Sequence, residues 1–143
     1  MSSASAICDA LVTMLSSTSV LGTSMVSIND WGVLEQASGS CAVVGFMDYE
    51  ALPAVFGDPT EKDTKEVYFI DAYVKDTANK SVDLNKIHTL VTTVANCLAA
   101  DDTLLDTVGM ITRFWAHRRP TEVLEVGGFL WLPVDCQVEV RQL

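Results

Sequence analysis

Residues 129–141 read Phe129-Leu130-Trp131-Leu132-Pro133-Val134-Asp135-Cys136-Gln137-Val138-Glu139-Val140-Arg141. Leu130, Leu132, Val134, Cys136, Val138 and Val140 occupy every second position. Side chains of a strand alternate between its two faces, so this period of two predicts a strand with one face in a core. Trp131, Pro133, Asp135, Gln137, Glu139 and Arg141 share the other face. Pro133 has no N–H to give to a ladder, which predicts an edge or a bulge on its side of the strand. Just ahead, Gly127-Gly128 reads as a turn, and residues 121–126 as a short strand or hairpin arm.

Working back along the chain, residues 108–118 (VGMITRFWAHR) read as another strand. Before them, residues 83–99 carry Leu84, Ile87, Leu90, Val91, Val94, Ala95 and Leu98 at the helical period. Ser81 or Asp83 serves as the expected cap, and Asp101-Asp102 ends the helix. Residues 66–75 (EVYFIDAYVK) form a strong strand. Tyr68, Ile70, Ala72 and Val74 line one face, and Val67, Phe69, Asp71, Tyr73 and Lys75 the other. That second face is too apolar for solvent alone, so it is expected to meet another sheet or another subunit.

Residues 48–65 hold two prolines, a glycine and several charges, and read as a long loop with the composition of a mobile segment. Residues 41–47 (CAVVGFM) read as a buried strand with a bulge at Gly45, and 23–30 as a short strand ending in the turn Asn29-Asp30-Trp31-Gly32. Ile7, Ala10, Leu11, Met14 and Leu15 mark an amphipathic helix over 5–16, capped by Ser3 or Ser5. The expected fold is one α+β domain over residues 1–143. It is a mostly antiparallel β-sheet of about five to six strands with two α-helices packed on one face.

Composition narrows the function classes. The chain has 143 residues, nine Lys and Arg against nineteen Asp and Glu, and a net charge of −10. Duplex binding needs clustered basic residues, so this balance argues against it. The one basic cluster, His117-Arg118-Arg119, reads first as a solvated strand end and second as a contact for phosphate or an acidic partner. Cys8, Cys41, Cys97 and Cys136 are widely spaced among apolar neighbours, which suits reduced, buried thiols better than a metal site. No apolar run is long enough to cross a bilayer. The N-terminal stretch MSSASAICDALVTML has no Lys or Arg ahead of its apolar residues, unlike a secretory leader. A protein kept in the cytoplasm, or built into a particle assembled there, is expected.

The sequence has no phosphate-cradling glycine motif and no H-E-x-x-H. His88 lies just off the apolar stripe of its helix and reads as solvated, and His117 as part of the basic surface. Asp101, Asp102 and Asp106 lack the spacing of a calcium loop. No catalytic residue, cofactor or metal is expected. Trp115 and Trp131 lie on the less apolar faces of their strands, where core cover and interface anchor are equally good readings.

The order of elements resembles the tail terminator proteins (tail completion or minor tail proteins) of long-tailed bacteriophages. The resemblance rests on the helix over 4–16 leading into a short strand, and on strand 66–75 followed by a polar turn and helix 83–99. It continues in Asp101-Asp102-Thr103-Leu104, similar to the family's D-x-T-L step, then strand 108–118 and the alternating strand 129–141. It implies a structural virion protein forming a homo-oligomeric ring, typically of six subunits, at the junction of tail and head. Such a ring caps the tail tube, ends its polymerisation and joins it to the head completion or connector protein, with DNA passing through the lumen. Six copies at −10 each carry roughly −60, a charge that repels phosphate and lets DNA slide without specific binding. Phe69, Asp71, Tyr73, Trp115, Arg118, Arg119, Trp131 and Pro133 are then candidates for subunit or partner contacts. Asp48, Glu50, Asp58, Glu61 and Asp63 are candidates for the lumen or a partner-facing loop. A head–tail connector or neck subunit is the nearest alternative. A small cytoplasmic α+β enzyme or ligand-binding domain is the third, and would show a deep pocket around His88 or His117.

Overall fold

The computed structural model describes residues 2–22, 25–37, 39–51, 64–119 and 122–142. Helix α1 (Ala4–Ser16) begins where Ser3 Oγ accepts the N–H of Ala6 at 3.2 Å. Ile7, Ala10, Leu11, Met14 and Leu15 are buried, as the periodicity predicts, and Cys8 is buried beside them. Strand β1 (Val26–Ile28) follows, then a short helix α2 (Val33–Gln36) that the sequence reading does not contain. Strands β2 (Cys41–Ala51) and β3 (Thr64–Lys75) form an antiparallel pair. Helix α3 (Lys80–Ala100), β4 (Met110–His117), β5 (Leu124–Val126) and β6 (Phe129–Gln142) complete the described chain.

The fold is α+β. A six-stranded sheet runs in the order β1-β2-β3-β6-β4, with β5 beside β6. The β1–β2 pair is parallel and the other pairs are antiparallel. Strand β6 lies inside the sheet, matched to β3 from Lys75↔Trp131 to Thr64↔Gln142. Gly127 and Gly128 both take positive φ, at 63° and 83°, and close the two-residue hairpin between β5 and β6.

Helices α1 and α3 cover one face of the sheet, as expected. Their core gathers Ala42 and Val44 from β2, Tyr68, Ile70, Ala72 and Val74 from β3, and Val134 to Val140 at alternate positions of β6. The N-terminus is stitched to this layer, since Ser2 N–H donates to Gln142 Oε1 at 2.7 Å. A second cluster lies on the opposite face, where α2 places Val33, Leu34 and Ala37 over Cys41, Val43, Tyr73 and Trp131.

Several expectations are corrected. The sheet does not stop at residue 47, because β2 continues to Ala51 and β3 starts at Thr64. Cross-strand pairing with β3 holds the polar stretch Asp48-Tyr49-Glu50 extended despite its charges. The register shift of β2 falls between Phe46 and Asp48, not at Gly45. Gly45 instead has no room for a side chain, as a Cβ there would lie 2.3 Å from Phe69 Cζ. Asn79, not Ser81 or Asp83, caps α3, accepting the N–H of Val82 at 3.3 Å. Leu90, Val94 and Leu98 are buried as expected, whereas Leu84 is 67% exposed. The sheet is interrupted near α3's first turns: β4 meets β6 only as far as Asp135, and β5 only from Trp131. Pro133 stands at that gap, in keeping with a local edge. Leu130, expected in the core, is largely exposed near the hairpin tip.

Candidate functional site

The sheet face opposite α1 and α3 is only part covered. Its residues are fixed by register, in rows that run β2–β3–β6–β4. One row is Val43–Asp71–Asp135–His117, the next Gly45–Phe69–Gln137–Trp115, and the third Asp48–Val67–Glu139–Arg113. Helix α2 shields the end of this face holding Cys41, Val43, Tyr73 and Trp131, and the Trp31 ring just ahead of it lies over Phe69.

Aromatic groups form its apolar part. The Trp31 ring stacks on Phe69 with centroids 6.1 Å apart and planes 20° from parallel. Its indole N–H donates to the Tyr73 hydroxyl at 3.0 Å. Gly45 leaves the space the Phe69 ring fills. On β4, the Arg113 guanidinium lies 4.4 Å from the Trp115 ring centroid, a cation–π contact.

Charged groups are interleaved with these rings. Asp71 and Asp135 stand directly opposite each other on β3 and β6. Burial, with the Asp135 carboxylate as a second cause, pushes the Asp71 carboxyl up to about 6. His117 Nε2 lies 3.3 Å from Asp135 Oδ2. At the far end Lys65 Nζ bridges Glu139 at 3.6 Å and Glu50 at 3.9 Å. The arrangement suits a wetted contact surface, with rings to bury and paired charges to fix orientation.

Two open grooves run along α3. Both histidines line one open groove of about 240 Å³, between Leu84, Ile87, His88 and Val91 of α3 and Ala116, His117 and Arg118 near the end of β4. A larger groove of about 400 Å³ runs past Lys75, Asn85, Lys86 and Thr89. Neither is lined by Asp71 or Asp135. Among the described residues no three His, Cys, Asp or Glu side chains converge as a metal set. Burial pushes the Cys41 and Cys136 thiols up to about 12, which suppresses the reactive thiolate. No family model matches the chain, and no curated protein does. No described helix is long and apolar enough to cross a membrane.

The structure sorts the candidate contact residues into groups. Phe69, Asp71 and Trp115 come together on the open face, and Asp48 and Glu50 share it at the exposed end of β2. Tyr73 is nearly buried beneath α2, and Pro133 is half-buried opposite it on β6. Trp131 is a correction: it is fully buried in the second cluster, because α2 covers the face it points to. Arg118 Nη2 donates to the Glu122 carbonyl at 2.7 Å, and Arg119 pairs with the Glu122 carboxylate at 3.6 Å. Asp58, Glu61 and Asp63 lie outside the described residues. Sequence reasoning missed Trp31, Arg113 and the His117–Asp135 pair. The alternation Arg113-x-Trp115-x-His117 within a predicted strand was the signal for the β4 residues. Trp31 sits in a turn and has no periodic signal.

Proposed function

We propose that this chain is a structural subunit of a homo-oligomeric ring of the phage tail terminator type. The ring caps the tail tube, ends its growth and joins it to the head connector, with DNA passing through its lumen. The observation that carries this reading is the half-covered sheet face, where Trp31, Phe69 and Trp115 stand among charged side chains such as Asp71, Asp135 and Lys65. A surface of that kind gains by being buried against protein, because its rings leave water and Lys65 already balances Glu50 and Glu139 within it. The fold supports the reading too, since its order of helices and strands is the one on which the resemblance rests. The net charge of −10 suits a channel through which DNA slides.

Native mass spectrometry and negative-stain electron microscopy of the purified chain test this, alone and with tail tube protein. A closed ring in either sample is the expected result. A chain that stays monomeric at high concentration in both samples overturns it.

A further inference from the structure

Two edges of the sheet end without a partner strand among the described residues, and they complement each other. On one side β1 pairs only with Ala42, Val43 and Val44, so β2 is bare from Gly45 to Ala51. On the other side β4 pairs only with β6, and its outer edge is bare from Thr112 to His117, since Ile111 gives its N–H to the Asp102 carbonyl at 2.7 Å. Large exposed apolar side chains lie along the bare half of β2 and at the start of β4. Phe46, Met47 and Tyr49 are 43%, 48% and 46% exposed, and Met110 is 45% exposed. Bare strand edges pair readily with other strands, so proteins that leave them open guard them with charges and bulges. Both guards are present here. Each edge shifts register once, between Phe46 and Asp48 on β2 and between Ile111 and Arg113 on β4.

The guards match. Asp48 and Arg113 belong to the same row of the sheet, through Asp48↔Val67, Val67↔Glu139 and Glu139↔Arg113, and so lie on the same face. The two register shifts fall next to that row. Strand directions match as well. Successive antiparallel steps from β2 through β3 and β6 make β4 run opposite to β2, so a β4 edge meets a β2 edge as an antiparallel pair.

We propose that the β4 edge of one copy pairs with the bare half of β2 on the next copy, continuing the sheet from subunit to subunit with Arg113 facing Asp48. This rests on the ring reading and names its subunit contact. The contact joins two different patches head to tail, the type that closes into rings. With no offset along the strands, the aligned rows set Arg113 beside Asp48 of the neighbour. Phe46 and Tyr49 then meet Phe114 and Ile111, which lie on the helix-bearing face of β4. The Asp48 carboxylate holds the N–H of Tyr49 at 2.8 Å within its own chain. Docking exchanges that contact for a backbone bond and frees the carboxylate for Arg113.

Charge reversal tests this on the full chain, with circular dichroism confirming that each variant folds. In Asp48→Arg and Arg113→Glu, like charges face each other at every contact, and association weakens by roughly a hundredfold. Mixing the two variants restores it, because in an alternating ring one contact joins two intact edges and the next joins two reversed edges, so opposite charges face each other at both. Hydrogen exchange of the wild type gives a second readout: amides of 46–50 and 113–116 slow together when the chain assembles. If the wild type assembles while both single variants associate as it does and neither edge is protected, the edge pairing is overturned and the ring reading stands. If each variant weakens assembly but the mixture does not recover, the head-to-tail pairing of these edges is likewise overturned. If the wild type never assembles, alone or with tube protein, both fall.

Discussion

Asp71 is held in an environment that favours its neutral form. Burial is the main cause and the Asp135 carboxylate across the strand pair adds to it, together raising the carboxyl to about 6. A carboxyl raised on folding binds its proton more tightly in the folded state. Its contribution to stability is therefore complete below the unfolded value near ~4 and is lost as pH rises through about 6. This runs opposite to the usual acid denaturation by paired carboxylates. Asp71 is half-buried, so screening reduces the effect to on the order of 1–2 kcal/mol. Asp71→Asn should be more stable than the wild type by that amount at pH 8, and the difference should vanish at pH 4. Urea unfolding of both proteins across that range measures it, and a constant difference would show that Asp71 is not the titrating group. Gly45 poses a steric question at the same scale. A methyl group there meets the Phe69 ring at 2.3 Å and Asn29 Oδ1 at 2.5 Å, while Trp31 stacks against the same ring. Overpacking of this kind costs about 1–3 kcal/mol, so Gly45→Ala should lower the urea midpoint. It should also change Trp31 fluorescence as the stack is pushed apart. An unchanged midpoint would mean that the ring swings aside freely.

Helix α3 shows what local sequence does and does not disclose about an element. Its start is fixed twice, by the Asn79 cap and by Asp83, which accepts the Thr77 N–H at 3.1 Å and the Thr77 hydroxyl at 2.6 Å. An exposed cap contributes about 1 kcal/mol, whereas hydrogen bonds to a charged acceptor such as the Asp83 carboxylate contribute about 1.5–3 kcal/mol. Thermal melts should therefore rank Asp83→Ala below Asn79→Ala, and the reverse order would make the cap the dominant anchor. The apolar stripe of α3 was legible because its period is local, and so was the alternation of β6. The fate of single positions within those stripes was not. Leu84 obeys the helical period yet faces a gap in the sheet, which depends on where β4 and β5 stop along β6. Trp131 lies on the polar side of β6 yet is fully buried, because the four-residue helix α2 folds over it. Asp48 and Glu50 read as loop residues, since their charges suppress the local strand signal that pairing with β3 overrides. The candidate face was legible from β3, whose second side is too apolar for water. Its β4 half needed the register that only the folded sheet supplies.

At the scale of the proposed assembly, two electrostatic effects of different range oppose each other. Copies of a chain at −10 repel one another over the whole subunit, whereas the proposed Arg113–Asp48 contact acts over a few ångströms in a partly desolvated interface. Salt separates the two. The screening length falls from ~30 Å at 0.01 M to ~8 Å at 0.15 M, shorter than a subunit yet longer than a contact pair. Raising salt over that range removes most of the long-range repulsion and leaves desolvated contacts nearly intact. Apolar burial of Phe46 and Tyr49 against Phe114 and Ile111 in that proposed contact is barely affected by such salt. Association should thus strengthen between 0.01 and 0.15 M and level off above it, as read by sedimentation velocity at fixed protein concentration. Arg113→Gln should keep the same rising profile at lower overall affinity, since it removes a local attraction and leaves the subunit more acidic. A wild-type affinity that falls steadily with salt would instead mean that exposed ion pairs dominate the contact. The apolar edges of β2 and β4 would then carry little of the assembly energy.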